Sequence, residues 1–229
     1  MIALSGEADS ALLSILEIAI GHAHGVQALA EKHYQHGWAA LCCARAAFEA
    51  GAISSWIGAP VLPFEREGRW IGYHRNLERF YKVQSGSLEE DIPGIGQQLQ
   101  SAFEGRDSAF KQLLEKHPEI KVVAPPNVRQ MLKDCQYEYL YAGYKEACQI
   151  IHAGPEAVIR VRHRIANQEK RRMFTYRCEI WPEDWTTALR MAGWGATVAT
   201  YTGLLRNGRT PDGMRPLIEM QKKFNESFK

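Results

Sequence analysis

Five residues on two helical stretches have the types and the spacing to do chemistry. In Trp38 to Ile57, WAALCCARAAFEAGAISSWI, the only charges are Arg45 and Glu49. Four residues apart, they put a guanidinium and a carboxylate on one helix face, one turn from each other. The stretch is apolar on every side, which predicts a buried helix, and a buried charge without a partner is costly. Arg45 and Glu49 therefore either close an internal ion pair or line a pocket, where Arg45 binds an anion and Glu49 accepts a proton or orients Arg45. In the second stretch Tyr144, Cys148 and His152 recur every four residues, spreading a phenol, a thiol and an imidazole over about 12 Å of one face. Tyr137 and Tyr141 extend that row. Either the tyrosines and Cys148 are core and His152 answers the helix C-terminal dipole, or His152 is a general acid/base with Tyr144 as hydrogen-bond donor. A Cys148–His152 nucleophilic pair lacks a visible third residue to orient it. Arg45, Glu49, Tyr144 and His152 are the candidate catalytic residues.

The two stretches together carry a resemblance. Ala44 to Glu49 (ARAAFE) and Tyr144 to Gly154 (YKEACQIIHAG) resemble a bacterial all-helical family of unknown function. Its members pair an R-x-x-x-E helix with a Y-x-x-x-S-x-x-x-H helix, and the similarity spans residues 10 to 165. Cys148 stands where that family usually shows serine, so a hydroxyl role does not carry over to that position. The resemblance implies an all-α fold and a shared polar site at Arg45, Glu49, Tyr144 and His152. Such domains are loosely similar to the HEPN helical ribonucleases, which use an R-x(4–6)-H motif. Arg69 and His74 match that spacing, in chemistry where histidine handles the 2′-hydroxyl proton and arginine stabilises the phosphate.

A nucleic-acid partner has a second sequence signal. Arg160 to Arg177 (RVRHRIANQEKRRMFTYR) holds Arg160, Arg162, Arg164, Lys170, Arg171, Arg172 and Arg177 against Glu169 alone, with Phe174 and Tyr176 interleaved. It reads either as a phosphate-binding patch with stacking aromatics, suited to RNA or single-stranded DNA, or as a solvated helix face balanced by acids elsewhere. His22, His24, His33 and His36 have metal-like spacings, but no acidic or cysteine ligand completes a set, so neither a metal nor another cofactor is expected. No glycine-rich phosphate loop and no G-x-S-x-G occurs, which leaves nucleotide-fold and α/β-hydrolase readings without support.

The elements that must position these residues read as helices throughout. Apolar periodicity predicts a helix over 8–34, kinked at Gly21 or Gly25, then the Trp38–Ile57 helix and a loop at Gly58 to Phe64. Helices follow over 70–83, 95–116 (divided at Gly105), 128–153, 156–170 and 183–205, with an amphipathic last one through Leu217, Met220 and Phe224. Ser85 to Ser87 and Pro93-Gly94 are breaks, and the proline-rich stretch 118–127 is an internal linker ending at Asn127 as a helix cap. The expectation is one all-α domain over 1–229, a bundle of seven to nine helices. At 45% hydrophobic and 24% charged the composition is that of a globular protein. The N-terminus lacks a basic region and a cleavage site, no uncharged apolar run reaches membrane-spanning length, and five cysteines without a C-x-x-C pair suit a reducing compartment. These features predict a cytoplasmic protein with no membrane role. An apolar face at Trp185, Trp194, Leu217 and Phe224 predicts a homodimer.

Overall fold

The computed structural model describes residues 6–32, 36–135, 137–152, 182–208 and 215–226. It is all-α, as expected. The helices are α1 (Glu7–Lys32), α2 (Gly37–Gly58), α3 (Pro63–Asn76), α4 (Glu78–Asp91), α5 (Ile95–Lys116), α6 (Val128–Asp134), α7 (Tyr141–Ile151), α8 (Pro182–Arg206) and α9 (Arg215–Glu226), with a 3-10 turn at Glu138–Leu140. The chain divides into two compact units, Met1–Ala11 with Ile57–Pro126 and Leu12–Trp56 with Asn127–Lys229.

The first unit is built on α3, α4 and α5. Pro63 starts α3, earlier than the periodicity suggests, because a proline at the first helical position arrives with its φ preset and loses no hydrogen bond. α3 stops at Asn76, and Leu77 turns the chain at φ −83° and ψ −5° with its N–H donating back to His74 and Arg75. The expected helix over 70–83 is thus two helices. Ser85 and Gly86 do not break α4: the Ser85 hydroxyl donates to the carbonyl of Lys82 (3.0 Å), and α4 lies along α5. The true turn is at Pro93-Gly94, where Gly94 takes φ +89°, a conformation that costs glycine little. The Glu89 carboxylate accepts from the N–H groups of Gly94 (2.9 Å) and Gln97 (3.0 Å), satisfying the start of α5. Those two backbone bonds hold the Glu89 pKa below its ordinary value.

The stretch 118–127 is extended but is no loose linker. It lies across α3, with Val123 N–H donating to the Gly68 carbonyl at 3.1 Å. A Cβ at Gly68 would overlap the Lys121 carbonyl, and one at Gly72 the Val123 carbonyl. These glycines, one turn apart, let a bare backbone sit on the helix. Ile120 closes a core with Ile71 and Phe110. The stretch therefore needs no strand partner. Arg66, 6% exposed, clamps the start of α1 to α3 through two bonds to the Asp9 carboxylate (2.8 and 2.9 Å). Beside it, Glu67 accepts from the Ala8 N–H at 3.2 Å.

The second unit has an alanine- and glycine-lined centre. Ala19, Ala50 and Ala199 pack together from α1, α2 and α8, with Ile15 and Leu16 over them. A Cβ at Gly51 would lie 2.7 Å from the Cα of Gly195, and one at Gly195 would overlap the Ala47 carbonyl. Small side chains thus let α2 and α8 approach backbone to backbone, which gives dispersion contacts along the whole crossing. Phe48 fills the adjoining layer, with its ring 4.6 Å from that of Trp194. Trp185 and Trp194 are 5% and 6% exposed, so they are core and do not form the open apolar face expected of them, while the side chains of Leu217 and Phe224, the rest of that face, lie outside the described residues. α9 runs alongside α8. Neither Gly21 nor Gly25 interrupts α1, and Gly105 does not divide α5. α1 is the one helix among the described residues long and apolar enough to cross a membrane, by length and composition, with 17% of its most apolar window buried.

Candidate functional site

α2 brings Arg45 and Glu49, and α7 brings Tyr144, Cys148 and His152. The predicted helix over 128–153 is interrupted: Asn127 caps α6 as expected, its side chain accepting from the Gln130 N–H at 3.0 Å, but α6 ends at Asp134. Tyr137 precedes the 3-10 turn and packs its ring 5.2 Å from Trp194, so it does not share the α7 face. From Tyr141 onward the helix is continuous to Ile151, and Tyr144, Cys148 and His152 keep their one-turn spacing.

The four candidate catalytic residues meet. Glu49 Oε1 accepts from Arg45 Nε (3.0 Å), Arg45 Nη2 (2.9 Å) and the Tyr144 hydroxyl (2.7 Å). Arg45 Nη1 stands 3.3 Å from His152 Nε2. The Arg45 guanidinium carbon also lies 5.8 Å from the Tyr144 ring centre, within cation–π range. The expected burial is corrected: the Arg45 and Glu49 side chains are 21% and 30% exposed, Cys42 is exposed, and His152 is exposed. One side of α2 faces out, so the ion pair is half open to water.

Electrostatics follow from this placement. Burial works against the Arg45 charge, but the charge and hydrogen bonds of Glu49 outweigh it, and the Arg45 pKa moves upward. Burial pushes the Tyr144 phenol far above the ordinary tyrosine range, reinforced by its bond to Glu49 and by a hydrogen bond with Cys148. Tyr144 is therefore a proton donor in a hydrogen bond rather than a base. A guanidinium only donates, so the His152 nitrogen facing Arg45 is the acceptor in that contact.

The other predicted positions fare differently. Arg160, Arg162, Arg164, Lys170, Arg171, Arg172 and Arg177 lie outside the described residues, as do His33, Phe174 and Tyr176. His74 belongs to the first unit and is 5% exposed, stacked on Phe103 at 4.5 Å and edge-on to Phe110 at 5.1 Å. Burial first, and then Arg106, lower its pKa. Five residues along a helix turn Arg69 and His74 about 140° apart, so that spacing serves packing and does not aim the two at one phosphate. No group of three or more His, Cys, Asp or Glu among the described residues is arranged to hold a metal ion, and this includes His22, His24 and His36.

Nothing among known families, curated proteins and solved structures matches this chain. The meaning of the site thus rests on its own geometry. Other rings surround the site: the Phe48 ring lies against Tyr144 (5.7 Å), and Tyr141 also stacks on Tyr144 (5.8 Å). The Arg129 guanidinium carbon lies 5.6 Å from the Tyr141 ring centre. Tyr141 was visible in the row of tyrosines, but Arg129 comes from α6 and has no periodic relation to α7.

Proposed function

We propose that the α2–α7 site belongs to a nucleic-acid-directed helical protein that cleaves RNA without a metal ion. The observation behind this reading is the 3.3 Å approach of Arg45 Nη1 to His152 Nε2. An imidazole beside a permanent cation suits attack by a ribose 2′-hydroxyl on the adjacent phosphodiester. When a phosphoryl oxygen takes over the Arg45 Nη1 donor, the His152 Nε2 lone pair is released and accepts the 2′ proton as the O2′–P bond forms, while Arg45 neutralises charge gathering on the phosphoryl oxygens. The P–O5′ bond breaks, and the departing oxygen takes a proton back from the imidazolium. The products are a 2′,3′-cyclic phosphate and a 5′-hydroxyl. Glu49 and Tyr144 hold the guanidinium in place, so orientation is prepaid before substrate arrives. The resemblance of the Arg45–Glu49 and Tyr144–His152 helices to those of a bacterial helical family extends the proposal to a defence or toxin setting. The basic run 160–177 would hold the phosphate backbone.

A second reading is favoured by one detail. Glu49 Oε1 alone collects three donors, so the Arg45 charge is largely met within the protein. On that reading the network is structural and the protein is a non-catalytic helical module that binds a partner protein or small anion.

Incubation of labelled RNA with purified protein in EDTA separates the two. Cleavage with cyclic-phosphate ends is expected, falling by about 10²–10⁴ in His152→Ala. No cleavage, together with no salt-sensitive binding of RNA, would leave the module reading in place.

A further inference from the structure

We infer that the Tyr141–Arg129 stack beside the site is a nucleobase-binding step, so that the substrate is single-stranded RNA with an unpaired base next to the scissile phosphate. This rests on the reading of the α2–α7 site as an RNA-cleaving one. The argument begins in the core. Trp194 and Phe48 are buried and 4.6 Å apart between ring centres. Phe48 is 5.7 Å from Tyr144 at an interplanar angle of 25°, and Tyr144 is 5.8 Å from Tyr141 at 29°. The Arg129 guanidinium ends the series 5.6 Å from the Tyr141 ring centre. Four rings and a planar cation thus run from the interior to a side chain that is 62% exposed.

Two features distinguish this series from ordinary core packing. Arg45 lies against Tyr144 and Arg129 against the next ring, Tyr141, so consecutive rings each carry a guanidinium. Arg129 is also held by Glu138, whose Oε1 accepts from its Nε at 3.0 Å and lies 3.0 Å from its Nη2. A flat cation fixed over an aromatic ring loses little entropy when a second flat group stacks on it. Bases in single strands present free faces to tyrosine rings and guanidinium planes, whereas bases in a duplex are already stacked on one another. With Arg45 and His152 acting at the scissile phosphate, the neighbouring Tyr141–Arg129 step takes the adjoining base.

The test is binding of a short 2′-O-methyl RNA, which lacks the attacking hydroxyl, beside a sugar–phosphate strand of equal length without bases. Fluorescence anisotropy is read for wild type, Tyr141→Leu, Tyr141→Phe and Arg129→Lys, which keeps the charge and removes the planar fork. Tyr141→Leu and Arg129→Lys should each weaken the base-bearing strand by about tenfold and leave the abasic strand unchanged. Tyr141→Phe should bind as wild type, because the ring remains. Equal loss on both strands, or no loss on either, overturns the inference, since the residues then act through charge or fold alone. The outcome is independent of cleavage. An unaltered cleavage rate in His152→Ala defeats the catalytic reading while the base-dependent binding stands, and normal cleavage with base-blind binding defeats the stacking step alone.

Discussion

Arg45 and His152, separated by 107 residues of sequence, face each other at 3.3 Å, and the imidazole nitrogen in that contact must be the acceptor. Replacing Arg45 with lysine keeps the charge but loses the fork that serves Glu49 and His152 at once. Arg45→Lys should lower RNA cleavage at least about tenfold in initial-rate assays, and an unchanged rate would mean that charge alone suffices.

Tyr144 gives a second test. Its phenol is raised far above the usual range by burial, then by Glu49. A folded-state pKa above the unfolded one adds stability at lower pH that is lost as pH climbs past the ordinary tyrosine value of about 10. Urea unfolding should therefore show stability falling above that pH, and Tyr144→Phe should flatten the fall. At neutral pH the same substitution removes one hydrogen bond to a carboxylate, worth about 1.5–3 kcal/mol at most for a site half open to water.

His74 behaves in the opposite sense. Burial, with Arg106 nearby, lowers its pKa, so the unfolded chain takes up a proton on acidification before the folded one does. Its contribution is fully present above the ordinary histidine value of about 6.5 and is lost as pH falls through the folded-state value. Unfolding free energies measured downward from neutral pH should decline, and less steeply in His74→Phe, which keeps the ring against Phe103. An identical slope in both proteins would show that other groups carry the acid sensitivity.

Glu67 acts against this trend. It is 2% exposed, one carboxylate oxygen has no hydrogen-bond partner, and burial raises its pKa. Whatever stability its protonated form supplies is present at acid pH and lost as pH rises through the folded-state value. Glu67→Gln keeps the acceptor for the Ala8 N–H and removes the buried charge. The variant should melt higher than wild type at neutral pH, and the difference should vanish in acid, as read by thermal denaturation at both.

The glycines divide into two kinds. Gly195→Ala forces a methyl into the Ala47 carbonyl and Gly72→Ala into that of Val123, so each should destabilise by about 1–3 kcal/mol or more. Gly105, inside α5, has nothing within 4 Å of an added Cβ, and Gly105→Ala should stabilise by about 0.5–1 kcal/mol. Denaturant titration of the three variants reads both signs, and destabilisation by all three would show that helical glycine here matters for reasons other than close approach.

What lies within one helix is legible in the residue order alone. Spacing of four placed Arg45 above Glu49 and lined up Tyr144, Cys148 and His152, because a helical face repeats with a period set by local backbone geometry. Residue order also determined the all-α class and the cap at Asn127. Which faces meet is set by packing between helices. Gly51 and Gly195 allow α2 and α8 to touch backbone to backbone, and α7 then lies where His152 reaches Arg45; no periodicity encodes a partner so distant in sequence. Helix ends are poorly encoded locally for the same reason. The break at Leu77, the continuity of α4 through Gly86 and the seat of 118–127 on Gly68 and Gly72 depend on backbone groups finding partners outside their own segment. The half-open state of the Arg45–Glu49 pair belongs here too: twenty nearly uncharged residues say that a helix is apolar, but only its neighbours decide which side of it stays in water.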